Sequence, residues 1–205
     1  MNDLTNTKPT QSEDSVWASF NSSMDTDSLK SFCGDIERLF RINPLLEFNK
    51  WTTLGKNHYR FSGRNISNEE PFDFEVELKV EELTDGYRVL YTNSLKTSTT
   101  FKIGPSPQGS KLTITDNYDG LSAKERDARL GEVDRSITTW ASYLQKFIRT
   151  WQRWSRFRPW RWYMRRVWQP MKPAGRRITH MLLLISLFEI ALIALGVVIY
   201  FIEYA

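Results

Sequence analysis

Apolar and polar side chains alternate through much of the stretch from residue 45 to residue 118. The clearest run sets Phe72, Phe74, Val76, Leu78 and Val80 against Asp73, Glu75, Glu77 and Lys79. A period of two marks a strand with one buried and one wet face, as in an antiparallel sheet. Strand patterns also occur in LLEFNKWTTL, HYRFSGRNI, YRVLYTNSL, TTFKIG and KLTITDNY, separated by turn chemistry at GKN, SNEEP, TDG and GPSPQGS. An earlier strand is predicted in SVWASFNSS, with Val16, Ala18 and Phe20 on one side. Between it and the rest the spacing turns helical at Leu29, Phe32, Ile36, Leu39 and Phe40. A break at Gly34 makes two short helices of it, and Pro44 ends the second.

After the last strand, apolar positions recur every three or four residues at Leu130, Val133, Ile137, Trp140, Leu144, Ile148 and Trp151. The spacing predicts a long helix laid on the sheet, beginning at a capping box of Ser122 and Glu125 and running to about Arg158 before Pro159 breaks it. Residues 1–13 are polar and predict a disordered lead without the basic and apolar regions of a secretory signal. The organisation expected is a lead over 1–13, a folded α+β domain over 14–154, a collar over 155–177, and an apolar segment over 178–205.

That last segment changes the picture most. From Met181 to Ile202 one charge, Glu189, interrupts 22 residues, and at ~1.5 Å per residue they reach ~33 Å, enough for a ~30 Å hydrocarbon core. A core helix of a soluble protein is usually shorter and keeps a polar stripe, so a single transmembrane helix is the expectation. Charge is partitioned to match. Residues 1–134 hold 16 Lys and Arg against 22 Asp and Glu, residues 135–177 hold twelve Lys and Arg and no acid, and residues 178–205 hold two Glu and no base. Basic residues only on the N-terminal side of the span predict a cytoplasmic N-terminal domain.

The collar sequence RWSRFRPWRWYMRRVWQP sets Arg153, Arg156, Arg158, Arg161, Arg165 and Arg166 among Trp154, Trp160, Trp162 and Trp168. Such a mixture suits single-stranded nucleic acid, a membrane interface or a protein docking face. Position decides, because the segment ends about ten residues before the span and is held near lipid headgroups, where each cation contributes on the order of 1 kcal/mol. The collar is therefore read as an interfacial anchor to membrane lipids, not as a nucleic-acid site. WRWYMRRVW forms a second helix in the interface plane, and Pro170, Pro173 and Gly175 make the turn into the membrane.

The order of strand, two short helices, six strands and long helix resembles the START-like (SRPBCC) superfamily of polyketide cyclase-like and coenzyme Q-binding proteins. Its local carriers are DIERLFRINPLLEFNKW, where a short helix meets Asn43-Pro44 and a strand bearing Trp51, and the helix EVDRSITTWASYLQKFIRTW. The resemblance covers about residues 14–154. It implies a helix-grip fold, a curved antiparallel sheet around the long helix, with an apolar cavity between them. Trp51, Tyr59, Phe61, Phe72, Phe74, Tyr91 and Trp140 are the candidates to line it.

Chemistry beyond binding is not indicated. The lone Cys33 gives neither a disulfide nor a multi-cysteine metal site, and His58 and His180 have no partner at ligand spacing. Asp116 and Asp119 read as turn carboxylates. No nucleophile motif or phosphate loop is present, so neither an enzyme nor a cofactor is expected. The functions expected are a membrane-tethered module for a hydrophobic molecule (lipid, isoprenoid or quinone), or an accessory subunit of a membrane complex. The second expectation rests on Glu189, which costs ~2.5–3.5 kcal/mol at membrane depth unless protonated or paired. Ser186, Ile193, Gly196 and Tyr200 lie on its face and predict a contact with another transmembrane helix or a second copy.

Overall fold

The computed structural model describes residues 15–92, 94–119 and 135–204. Seven antiparallel strands form one sheet in the order β1-β7-β6-β5-β4-β3-β2. They are β1 (Ser15–Ser22), β2 (Leu46–Gly55), β3 (His58–Asn65), β4 (Phe72–Leu83), β5 (Gly86–Thr92), β6 (Ser98–Ser106) and β7 (Gly109–Asn117). Every strand expected from alternation is present. In β4 the parity is as read, with Val76, Leu78 and Val80 buried and Asp73, Glu75 and Lys79 on the wetter side.

Consecutive strands from β2 to β7 are hairpin neighbours, and β1 closes on β7 at the far edge. Gly86 makes the β4–β5 turn possible. Its φ is +152°, and a Cβ there would lie 1.8 Å from the Phe101 carbonyl oxygen, so any side chain would push the hairpin off β6.

Helices α1 (Thr26–Cys33) and α2 (Ile36–Ile42) separate β1 from β2. Each starts on an aspartate. Asp25 accepts from the Ser28 N–H at 2.8 Å and Asp35 from the Arg38 N–H at 3.1 Å, satisfying otherwise orphaned first-turn donors. Gly34 marks the break between them for want of space, since a Cβ would meet the Tyr87 hydroxyl at 3.0 Å.

The long helix α3 (Ile137–Trp154) buries Ile137, Trp140, Ala141, Leu144, Phe147 and Ile148 against the sheet and α2. Its expected start lies outside the described residues, which omit 120–134. Among the described residues the helix begins at Ile137, with Arg135 and Ser136 outside it. Ser136 sits at the N-cap without capping. Its hydroxyl is engaged by the Asn43 side-chain amide, which donates to it at 2.7 Å in a fully buried contact.

The far end of α3 also differs from expectation. The helix stops at Trp154, not near Arg158, and α4 (Arg158–Tyr163) starts with Pro159 in its first turn. A proline inside a continuous helix would clash with the carbonyl four residues back, here that of Ser155, whereas in a first turn its missing N–H costs nothing. A π-helical turn (Met164–Trp168) follows, then α5 (Pro173–Tyr204). The bend into α5 is therefore made by residues 169–172. Gly175, expected in that bend, lies inside the first turns of α5. Over its apolar window α5 buries nothing against the rest of the chain, and its length and composition are those of a membrane-crossing helix.

Candidate functional site

An aromatic cluster fills the space between the sheet and α2–α3. Phe40 of α2 is its hub, with ring centroids 5.2 Å from Trp140, 5.6 Å from Phe61 and 6.4 Å from both Tyr91 and Phe101. Trp140 is fully buried, and its indole N–H donates to the Leu39 carbonyl at 2.8 Å, which fixes α3 against α2. Beside this cluster lies a cavity of about 80 Å³. Of the seven candidates, Phe61, Phe72, Phe74, Tyr91 and Trp140 line it.

Trp51 and Tyr59 do not. An irregularity in β2 between Phe48 and Lys50 restores Trp51 to the inner side, where it stacks on its cross-strand neighbour Phe61 at 5.0 Å. That packing places Trp51 behind Phe61 instead of on the cavity wall, and its buried indole N–H has no acceptor. Tyr59 packs on Trp51 at 5.6 Å, one step farther out along β3.

One end of the cavity is polar, against expectation. Lys96, from the β5–β6 connection, donates to Asp116 Oδ2 at 2.7 Å, and the Thr99 hydroxyl donates to Asp116 Oδ1 at 2.5 Å. The Tyr91 hydroxyl is 2.8 Å from that of Thr99, and the ring lies 5.8 Å from the Lys96 ammonium. Asp116 is wholly inaccessible and the Lys96 side chain 10% exposed. Asp116 is therefore no turn carboxylate, while Asp119 is exposed and accepts from the Thr97 hydroxyl. A signal existed. Leu112, Ile114, Asp116 and Tyr118 share the inward parity of β7, so a carboxylate in register with two buried aliphatics had to face the interior.

The collar has two faces. Arg153, Trp154, Arg156, Arg158, Arg161, Trp162, Arg165 and Arg166 are exposed, Trp162 at 63%. Trp160 and Trp168, expected among them, are not part of that outer surface. Trp160 packs on Trp151 at 5.5 Å and Trp168 on Phe147 at 5.2 Å, with Met164 buried between their positions in sequence. The reason is helical spacing, since residues 160, 164 and 168 fall on one side, which the domain covers.

Arg176, in the first turns of α5, completes this joint. Its guanidinium lies 4.0 Å over the Trp168 ring and donates to the carbonyls of Arg41, Trp168 and Gln169. Ser186, Glu189, Ile193, Gly196 and Tyr200 all lie exposed on α5, and a Cβ on Gly196 would meet open space. Burial holds the Cys33 thiol up at about 12, an unreactive group at neutral pH.

No protein-family model matches the sequence, and no curated protein matches it. Solved structures do. TTHA0849 from Thermus thermophilus superposes with a TM-score of 0.50 at 11% identity, over 66% of this chain and 97% of its own. The Polyketide_cyc-like protein Cgl2372 from Corynebacterium glutamicum gives 0.41 at 17% identity, over 66% and 91%. The STAR-related lipid transfer protein from Xanthomonas axonopodis gives 0.42 at 9% identity, over 66% and 85%. The seven-strand antiparallel sheet, the two short helices between β1 and β2 and the long closing helix make a helix-grip fold, and the likeness to TTHA0849, over nearly that chain's whole length, is a likeness of fold.

Proposed function

We propose that the chain is a membrane-anchored START-like module that holds a hydrophobic molecule at the cytoplasmic face of a membrane. The observation that carries this reading is an aromatic cavity with one polar end, in a domain joined without a free linker to a helix fit to cross a bilayer. Apolar walls with a few convergent polar groups are the general form of a small-molecule site. The Lys96–Asp116–Tyr91 end suits a ligand with one hydrogen-bonding head, such as a lipid, isoprenoid or quinone, and acts by binding rather than by catalysis. The orientation rests on the basic collar preceding the span.

Cavity size sets a condition on this role. About 80 Å³ admits a slim apolar group, whereas sites for drug-sized ligands span ~300–1,000 Å³. A whole lipid or quinone therefore enters only as the half-buried rings of Phe72, Phe74 and Tyr91 swing aside. The same tight packing favours a second reading, an accessory subunit of a membrane complex whose cavity is filled by its own side chains and whose α5 pairs through Glu189. Native mass spectrometry of the full chain, released from membranes in mild detergent, separates them. One apolar molecule per chain, lost on Phe74→Trp substitution into the cavity, supports ligand binding. An empty chain that copurifies with a defined membrane protein rejects it in favour of the subunit.

A further inference from the structure

Where α1, α2 and the end of α3 meet the collar, the surface opens into a cleft of about 420 Å³. Two arginines line it. Arg38 comes from α2 and Arg165 from the π-helical turn, 127 positions apart in the chain. Arg38 is 7% exposed, its guanidinium lying 4.1 Å over the Phe32 ring and 5.0 Å over that of Trp151.

The hydrogen bonding of this buried cation is incomplete. One terminal nitrogen donates to the Phe32 carbonyl at 2.6 Å, while Nε is buried without an acceptor among the described residues. The carboxylate at hand is Asp35. It spends one oxygen on the Arg38 backbone N–H, and the other stands 3.7 Å from Nε, beyond hydrogen-bonding distance. The cleft thus gathers two guanidiniums against one carboxylate, with Ser28 and Ser31 at its rim. Burial lowers the pKa of Arg38, the Asp35 charge opposes that, and Arg165 lowers it further. An added anion would relieve both destabilising effects. A buried donor left unsatisfied is destabilising, and more so when it is charged.

We propose that this cleft is a phosphate-binding site in which Arg38 and Arg165 grip the anion from its two sides. Guanidinium forks match the oxygens of a phosphate pairwise, and a tetrahedral anion offers acceptors to two forks at once, whereas a carboxylate fills only one. The aromatic rings under Arg38 hold its plane in place, so little freedom is lost on binding. The phosphate belongs either to a lipid headgroup, reached from the collar, or to a soluble phosphate compound. The cleft shares no lining residue with the aromatic cavity, so the two sites are tested separately.

The test uses the full chain in neutral detergent, titrated calorimetrically with inorganic phosphate. In parallel, chains extracted from bilayers containing phosphatidylglycerol are examined by native mass spectrometry for retained lipid. Arg165→Gln is the main variant, because its side chain is exposed on the collar. Arg64→Gln, exposed on β3 and outside both the cleft and the collar, is the control. The expected result is one equivalent of probe bound, with affinity falling about tenfold or more in Arg165→Gln and less than about twofold in Arg64→Gln, the scale set by losing a charge-assisted pair. Phosphate binding without retained lipid assigns a soluble compound, and retained lipid assigns a headgroup. Failure of both probes, or equal loss in the two variants, overturns the site.

Discussion

Replacing Asp116 by Leu leaves the Lys96 ammonium, 10% exposed, without its 2.7 Å partner at the polar end of the cavity. Breaking one side of such a buried pair costs ~3–5 kcal/mol, because the remaining charge stays desolvated and has lost its carboxylate. For a domain of this size about 1 kcal/mol moves the melting temperature by roughly 3 °C, so a fall of about 10 °C or more is expected. The double variant Lys96→Met, Asp116→Leu removes both charges. Replacing a buried pair by apolar groups of similar volume is often neutral or stabilising. Thr99 then loses one acceptor but keeps its contact with the Tyr91 hydroxyl. The double variant should therefore melt within about 1 kcal/mol of the parent. Near-ultraviolet circular dichroism of the full chain in detergent reads this, since the Trp140 and Tyr91 environments are lost on unfolding. If Asp116→Leu alone melts within a few degrees of the parent, or the double variant is as unstable as the single, the buried pair does not carry the stability assigned to it. A double variant that is stable but no longer carries the copurifying apolar molecule would place the ligand head at this polar end.

Trp168→Ala removes the ring held between Phe147 and the Arg176 guanidinium; trypsin should then cut between Arg153 and Arg166 about tenfold faster, and an unchanged rate would refute the joint. Cys33, buried with its thiol raised to about 12, should resist iodoacetamide at pH 8 until the domain unfolds, and rapid labelling of the native chain would contradict its placement. A reporter fused after residue 205 should be active only in the non-cytoplasmic compartment, and cytoplasmic activity would reverse the proposed orientation. Glu189→Leu should leave insertion intact while weakening recovery of a helix partner, and unchanged association across Glu189→Leu and Gly196→Leu would remove the reason to expect one.

What the sequence made legible was whatever repeats with a period. The β4 alternation, the helical spacing of Ile137, Trp140, Leu144 and Ile148, and the long apolar run of α5 with its single charge each follow from one backbone geometry, and the structure has each of them. What escaped depended on contacts between distant segments. Trp51 is inward because of a strand irregularity that no pattern announces, and it lies behind Phe61 only because their strands pair in that register. Lys96 and Asp116 are 20 positions apart and meet through the β6–β7 pairing that sets Thr99 opposite Asp116. The pattern sets the end of α3 a few residues too late, because Pro159 marks the place where the next helix starts and not the place where this one stops.

The collar is where the two kinds of information combine. Its composition alone describes an interfacial segment, arginine for headgroups and tryptophan for the boundary. The structure divides that composition by face. Trp160, Met164 and Trp168 turn to the domain, while the arginines and Trp162 turn to solvent. A flexible tether would have left all of them exposed and the domain free to rotate. Here Arg176 ties the first turns of α5 to the Arg41 carbonyl at the end of α2, and Trp168 ties the preceding turn to α3. With α5 in a bilayer, the apolar helix already supplies the anchoring energy, since some twenty buried apolar residues far outweigh six cations at ~1 kcal/mol each. The outward arginines then add little to attachment. In that setting their contribution would be angular, because a charged face on a body clamped to a membrane helix would resist tilting away from anionic headgroups. The joint would transmit that restraint to the sheet and its cavity, which a linker of the same composition would not do.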